Sequence, residues 1–166
     1  GRNAQSVAEH TIGLMLALAR RIPEAHRYVV DGNWDNPIEP YLSMRGIELA
    51  NKVIGIIGLG QIGKKVARIA RCFGMKVLAY DPYITNETEH AVLVNLNSLL
   101  ENADFVTLHV PSTPDQENLI DASSIRLMKT TSFLVNTSAP FLIDQSALAQ
   151  ALEKRKLAGA AVDVFE

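Results

Sequence analysis

Cysteine is nearly missing from this sequence: Cys72 is the single one among 166 residues. One thiol excludes a disulfide framework within the chain and any metal site built from several cysteines, and it favours a reducing, cytoplasmic setting. Cys72 is most simply a small buried apolar group on a helix. We expect no metal centre.

Long apolar runs and runs of a single charge are also missing. The longest apolar run, residues 12–19, is too short to span a bilayer, and the N-terminus lacks the charged-then-apolar order of a secretory signal. The 16 basic and 18 acidic residues give a net charge of -2 without a basic run. This balance argues against nucleic acid or an anionic membrane as the main partner, so we expect a small ligand.

The composition is that of one globular domain, because 48% hydrophobic and 20% charged residues suffice to bury a core. Apolar residues at helical spacing predict a first helix over residues 4–20, and Ser6 with Glu9 has the form of a capping box near its start. This helix is apolar on most faces, which is typical of a helix buried between domains or subunits.

The stretch after this helix predicts a second short helix and then an arm. Pro23 is expected to start the helix and Gly32 to end it. Residues 33–44 are interpreted as an extended arm, on which Trp34 is a natural anchor in a partner's groove. We therefore expect self-association through the first helix and this arm, most simply as a homodimer.

From residue 52 onwards, short apolar runs alternate with helical patterns, although residues 81–98 fit this alternation least well. Continuous apolar strands separated by helices predict an α/β fold, a Rossmann-type doubly wound parallel sheet. Residues 1–50 then form the N-terminal helix and arm of the same domain, and residues 51–166 its dinucleotide-binding part. Strands are predicted over 53–57, 76–80, 105–110, 132–135 and 160–165, and helices over 61–73 and 144–154.

The motif Gly58-Leu59-Gly60-Gln61-Ile62-Gly63 lies between the first strand and the helix that follows it. In that position Gly58 permits a tight turn, Gly60 lets a pyrophosphate approach the backbone, and Gly63 lets the helix pack closely on the strand. The N–H groups at the start of the helix would hold the phosphates. The alternative, that the three glycines only make a tight turn, is disfavoured by the second strand and the acidic residue at its end.

That acidic residue is Asp81. A carboxylate at the end of the second strand accepts hydrogen bonds from both ribose hydroxyls of adenosine and repels a 2′-phosphate. The sequence therefore predicts NAD rather than NADP as the cofactor.

Several motifs in order resemble the cofactor domain of the D-isomer-specific 2-hydroxyacid dehydrogenases. This resemblance implies hydride transfer between NAD(H) and a 2-hydroxy or 2-keto acid, a dimer formed through the N-terminal region, and a separate substrate domain that is absent from this chain. The motifs are Asn3-Ala4-x-x-Val7-Ala8-Glu9, the glycine motif through Asp81-Pro82, DFVTLHVPST from Asp104, Asn136-Thr137, and GAAVDVF from Gly159.

The resemblance also implies where the cofactor is contacted, always at the carboxyl ends of predicted strands or on the turns after them. It assigns Gln61 and Ile62 to the pyrophosphate, Asp81 to the adenosine ribose, Val110 and Pro111 to the adenine, Thr137 and Ser138 to the nicotinamide side, and Asp163 to the nicotinamide amide.

The catalytic groups that the resemblance implies are not found in this chain. The family's carboxylate-binding Arg falls at Ala139, and no Arg occurs between Arg126 and Arg155. Pro140 lacks an N–H, so the loop cannot offer the family's backbone donors either. The family's catalytic acid and histidine would follow the last strand, and Glu166 comes too early to be that acid. We therefore assign no catalytic residue.

Two functions stay open at this point. One is the NAD-binding domain of an oxidoreductase, and the other is a non-catalytic, NAD-responsive binding or regulatory protein, which Ala139 favours. His109 is interpreted as a hydrogen-bonded histidine at the sheet edge rather than as the catalytic one. His10, His26 and His90 have no chemical neighbours in sequence and are interpreted as surface or packing residues.

Overall fold

A six-stranded parallel sheet forms the centre of the computed structural model, which describes residues 3–36, 38–85, 88–113 and 116–164. The strands lie in the order β3-β2-β1-β4-β5-β6, the order of the classical dinucleotide-binding sheet. The predicted fold class is thus confirmed. The strands are β1 (Val53–Ile57), β2 (Lys76–Tyr80), β3 (Val92–Leu93), β4 (Phe105–Leu108), β5 (Phe133–Asn136) and β6 (Gly159–Val162).

Helices cover both faces of the sheet. One buried cluster joins α1 and α4 to one face, and a second joins α5, α6 and α7 to the other. Because both faces are covered, the strands read as continuous apolar runs. The helices are α1 (Ala4–Arg20), α2 (Ile22–Val30), α3 (Ile38–Ser43), α4 (Gln61–Cys72), α5 (Leu96–Asn102), α6 (Ala122–Leu127) and α7 (Gln145–Glu153), with a 3₁₀ turn at Pro140–Leu142.

The N-terminal region differs from its prediction in two places. The capping box is wrong, because α1 already begins at Ala4 and the Glu9 carboxylate accepts a hydrogen bond from the Gln5 side chain at 2.7 Å. The extended arm is also wrong, because residues 38–43 form α3. Pro40 is tolerated there because it lies in the first turn, where a helix has no partner for its N–H groups.

The short elements β3, α5, α6 and the 3₁₀ turn were not predicted either. Both helices begin at a capping residue: Asn95 accepts a hydrogen bond from the Ser98 N–H, and Asp121 from the Ser124 N–H, each at 2.8 Å. These caps are a local signal that was available in the sequence. The predicted ends of β4, β5 and β6 are displaced by one to three residues, and the predicted last strand residue, Phe165, lies outside the described residues.

The apolar surface of the N-terminal region lies on α2, α3 and their connection rather than on α1. The α1 helix packs within its own chain, where Ala8, Met15 and Ala19 are buried. Cys72 is exposed, so its interpretation as a buried group is wrong. None of the helices described here is long and apolar enough to cross a membrane. The exposed residues, here called the α2–α3 patch, are Ile22, Val29, Val30, Trp34, Ile38, Tyr41 and Leu42.

Candidate functional site

A cavity of about 440 Å³ lies at the carboxyl edge of the sheet, beside the ends of β1, β2 and β4. Ligands of open α/β sheets bind at this edge, where the strand order reverses. The start of α1, the turn after β2, His109 and Gln116 complete its wall. Most of the predicted cofactor residues line it: Gly58, Gly60, Gln61, Ile62, Asp81, Val110, Pro111 and Ser138.

The three glycines of the turn between β1 and α4 lack a side chain for different reasons. Gly58 has a φ of +90°, and a Cβ there would lie 2.6 Å from the His109 carbonyl oxygen. A Cβ on Gly63 would collide with the Gly58 carbonyl oxygen. Gly60 has an ordinary φ of -75°, and a Cβ there would have nothing within 4 Å. The chain itself therefore needs Gly58 and Gly63, whereas Gly60 keeps space open in the cavity.

The α4 helix begins directly after this turn. Gly60 is its N-cap residue and provides no side-chain hydrogen bond. The first turn of α4 thus presents backbone N–H groups and the positive end of the helix dipole at the cavity wall. Such a wall suits a phosphate group.

Asp81 follows β2 and also lines the cavity. Its Oδ2 accepts a hydrogen bond from the Leu59 N–H at 2.9 Å, and its Oδ1 accepts one from the Tyr83 N–H at 3.0 Å. These two bonds fix the carboxylate next to the glycine turn. Each carboxylate oxygen keeps a further lone pair, so both can also accept a ligand hydroxyl.

The loop after β5 is folded around the Asn136 side chain. The Asn136 amide donates to the Ala139 carbonyl, and its oxygen accepts from the Ser138 N–H, both at 2.9 Å. The Ser138 hydroxyl donates to the Leu108 carbonyl at 2.9 Å. Ala139 packs against the apolar cluster under α5 and α7, and Pro140 begins the 3₁₀ turn. The loop brings Ser138 to the cavity, and position 139 carries no charge.

Three of the predicted cofactor residues do not line the cavity: Gly63 packs against the Gly58 backbone, and Thr137 and Asp163 contact α1. The Thr137 hydroxyl lies 2.9 Å from that of Thr11, and the Asp163 carboxylate lies 3.1 Å from His10 Nε2. His10 is an exposed residue, as interpreted, but it has a chemical neighbour in space, Asp163, that its sequence neighbours did not indicate. The two residues of each pair lie far apart in sequence, by 126 residues for the threonines and by 153 for His10 and Asp163. No local pattern could therefore have indicated these contacts.

His109 is buried, and neither of its ring nitrogens has a hydrogen-bond partner within the described part of the chain. The prediction that His109 is hydrogen-bonded is therefore wrong among the described residues. Burial lowers the pKa of His109 to about 4, so the ring is neutral near pH 7. The Gln116 side-chain oxygen, in the same cavity wall, also lacks a partner among those residues. Unpaired polar atoms here mark a site that a ligand or water completes.

The model of one protein family, described as "D-isomer specific 2-hydroxyacid dehydrogenase, NAD binding domain", matches residues 12–166. The chain belongs to this family. Members of the D-isomer-specific 2-hydroxyacid dehydrogenase family are NAD-dependent oxidoreductases, and the part of them present here is the NAD-binding domain. The predicted family and cofactor are thereby confirmed.

Curated relatives in this family carry different enzyme names. D-3-phosphoglycerate dehydrogenase of Methanocaldococcus jannaschii is 46% identical over 97% of this chain and 30% of its own length. Glyoxylate reductase of Thermofilum pendens is 42% identical over 97% of this chain and 48% of its own length. The chain thus spans between about a third and a half of these relatives.

Solved structures of similar sequence have the same fold. NAD-dependent formate dehydrogenase from Staphylococcus aureus, solved with NAD, superposes with a TM-score of 0.92 at 36% identity, over 99% of this chain and 49% of that one. D-lactate dehydrogenase from Aquifex aeolicus, solved with NAD and lactic acid, gives a TM-score of 0.89 at 36% identity, over 98% and 48%.

Proposed function

We propose that this chain is the cofactor-binding half of an oxidoreductase that transfers hydride between NAD(H) and a 2-hydroxy or 2-keto acid. The observation that carries the proposal is Gly60. Its missing side chain serves neither packing nor backbone conformation, and it opens the cavity in front of the first turn of α4. That space suits a pyrophosphate close to backbone N–H groups.

The residues of the crevice suit the separate parts of NAD. Gln61 and Ile62 would contact the pyrophosphate, Asp81 the adenosine ribose, and Val110 with Pro111 the adenine. On the far side, Thr137, Ser138 and Asp163 would lie near the nicotinamide. NAD itself supplies the hydride acceptor or donor, and this domain binds and orients it.

Calorimetric titration of this chain with NAD(H) and NADP(H) tests the proposal. NAD(H) should bind more tightly than NADP(H). Asp81→Ala should reduce the difference between these two affinities. Gly60→Ala should leave thermal unfolding unchanged but weaken NAD(H) binding at least about tenfold, or about 1.4 kcal/mol. Gly13→Ala is the matched control, because that glycine is also free of neighbours but lies on exposed α1 surface. Equal or tighter NADP(H) binding by the parent would contradict the role of Asp81.

The enzyme hypothesis is favoured over the non-catalytic alternative, because the curated relatives carry enzyme names and no comparison favours a binding protein. The substrate differs among these relatives, so we propose only the class of 2-hydroxy or 2-keto acid. The single thiol supports a reducing, cytoplasmic setting, which stays a prediction.

We also propose that the protein is a homodimer formed through the α2–α3 patch. Large exposed apolar side chains, among them Trp34 and Leu42, mark a surface that a partner covers. A two-fold contact would let the same patch cover itself. Sedimentation at micromolar concentration should show a dimer that Leu42→Asp dissociates, whereas Tyr83→Ser, an exposed aromatic outside the patch, should not. A monomeric parent would overturn this proposal.

A further inference from the structure

Thr137 and Asp163 lie side by side on the α1 face of the sheet. Asn136 pairs with Val162 at the ends of β5 and β6, and the Asp163 N–H donates to the Asn136 carbonyl at 3.0 Å, so the pairing continues for one more residue. Residues at the same register of parallel strands point to the same face. Consecutive residues of α1, His10 and Thr11, contact this pair from above.

The hydrogen-bond network fixes the direction of the Thr137 hydroxyl. Thr11 Oγ1 lies 2.8 Å from the Val7 carbonyl, which can only accept, so the single hydroxyl proton of Thr11 is used there. In the 2.9 Å contact between the two hydroxyls, Thr137 must therefore be the donor. The Thr137 oxygen is left with lone pairs, and it can only accept a further hydrogen bond.

Asp163 offers acceptor atoms as well. His10 Nε2 donates to Oδ1 of the carboxylate at 3.1 Å, which leaves Oδ2 available. The two side chains are 50% and 45% exposed, so a ligand can reach the carboxylate. Thr137 and Asp163, which α1 holds, thus form a pair that has no proton to donate.

The sheet topology assigns this pair to one half of a bound dinucleotide. Asp81 and the glycine turn take the adenosine side at β2 and β1, and a dinucleotide lies across the point where the strand order reverses. Its other half then extends towards the ends of β5 and β6. This step rests on the proposed function.

We propose that His10 and Thr11 are positioning residues: Thr11 restricts the Thr137 hydroxyl to accepting from a ligand, and His10 holds the Asp163 carboxylate, which can only accept, beside it. This end of the crevice then selects a primary amide, which carries two N–H donors, over a carboxylate in the same place. A ligand carboxylate would face two sets of lone pairs and the charge of Asp163. The amide of nicotinamide has the matching chemistry.

Three ligands distinguish selection of the amide from binding of the rest of the cofactor. They are NAD⁺, nicotinic acid adenine dinucleotide, which carries a carboxylate in place of the amide, and ADP-ribose, which lacks the ring. In calorimetric titrations of this chain, NAD⁺ should bind at least about tenfold more tightly than the nicotinic acid analogue.

Variants of α1 then test the two positioning residues. Thr11→Val frees the Thr137 proton to donate, so it should reduce the preference for NAD⁺ over the acid analogue at least about threefold and leave ADP-ribose binding unchanged. Thr11→Ser, which keeps the hydroxyl, should preserve the preference. His10→Ala should weaken NAD⁺ but not ADP-ribose, and His10→Gln, which keeps a donor near Nε2, should restore NAD⁺ binding.

Each other outcome overturns the proposal. Equal binding of NAD⁺ and the acid analogue by the parent would remove the selection itself. If Thr11→Val leaves the ratio of NAD⁺ affinity to acid-analogue affinity unchanged, Thr11 does not set the selection. If Thr11→Val and His10→Ala both weaken the binding of all three ligands equally, α1 has only a structural role. A folded parent that binds none of the three would instead show that the proposed function is wrong. The exposed His10 keeps the test valid should the buried Thr11→Val fail to fold.

Discussion

The two edges of the central sheet differ in how completely their polar groups are paired. At the amino edge, Asp104 accepts hydrogen bonds from the Val53 N–H at 2.8 Å and from Lys129 at 2.9 Å, and Lys129 also donates to the Asn102 carbonyl at 2.6 Å. At the carboxyl edge, Asp81 and Asn136 are paired, but both ring nitrogens of His109 and the side-chain oxygen of Gln116 have no partner among the described residues.

This difference separates stability from binding within one sheet. Polar groups that are paired inside the chain hold neighbouring strands together, whereas buried polar groups without partners are stable only if something else completes them. Substitutions at the amino edge should therefore change the free energy of unfolding. Substitutions at the carboxyl edge should change ligand binding. The exceptions are residues packed closely against the backbone, whose substitution should also change the free energy of unfolding.

Gly63 is such an exception: although it lies at the carboxyl edge, we expect its substitution to change the free energy of unfolding, and by more than the other substitutions below. A Cβ at this carboxyl-edge position would collide with the Gly58 backbone carbonyl, which cannot move without shifting the turn. Gly63→Ala should lower the free energy of unfolding by about 1 to 3 kcal/mol, the usual cost of overpacking. Chemical denaturation measures this loss, with Gly60→Ala as the neighbouring control. Equal stability of the two variants would show that the turn relaxes freely.

Ala139 extends the comparison to catalysis. The resemblance implies an Arg there, which would hold a substrate carboxylate and polarise the adjacent carbonyl. In the full-length protein, the parent should be slow on simple 2-keto acids with NADH. Ala139→Arg combined with Pro140→Gly should raise kcat/KM at least about tenfold, or about 1.4 kcal/mol. A fast parent that the two substitutions slow would mean that another residue holds the carboxylate.

Asp104 tests whether a paired polar group at the amino edge contributes to stability. Burial would by itself raise the pKa of Asp104, but hydrogen bonds from the Val53 N–H and the Lys129 ammonium outweigh it and hold the pKa below its ordinary value of 3.8. The carboxylate therefore stabilises the fold above that ordinary value, and this contribution is lost as the pH falls through the lower, folded-state pKa.

Asp104→Asn should accordingly lower the free energy of unfolding near pH 7 by about 1 kcal/mol, a charge-assisted hydrogen bond discounted for solvent screening. The gap between parent and variant should close as the pH falls below about 4. NAD(H) affinity should not change. A gap that persists at the lowest pH would mean that the amide geometry, not the charge, causes the loss.

The sequence predicted the parts of this molecule that depend on local pattern. Apolar runs located five of the six strands, and the glycine motif located the turn before α4. Three failures were local as well: the capping box of Ser6 and Glu9, the extended arm where residues 38–43 form a helix, and the helices α5 and α6, whose caps are a local signal.

The remaining failures were not local. The contacts of His10 and Thr11 depend on how α1 packs against the ends of β5 and β6, and the unpaired state of His109 depends on which helix covers its strand. Such pairings follow from the tertiary fold, and neither residue type nor spacing specifies them. The glycine turn was therefore predicted residue by residue, whereas the contacts of α1 with Thr137 and Asp163 were not.

The reach of α1 to the far end of the chain also sets an order of assembly. Synthesis begins with the N-terminal side, yet the hydrogen bonds of α1 to Thr137 and Asp163 span 126 and 153 residues. They cannot form until β5 and β6 have left the ribosome and docked, and such distant contacts form late and slowly. The apolar face of α1 can pack on α4 before that point, but the part that covers β5 and β6 stays exposed in a newly made chain until those strands dock.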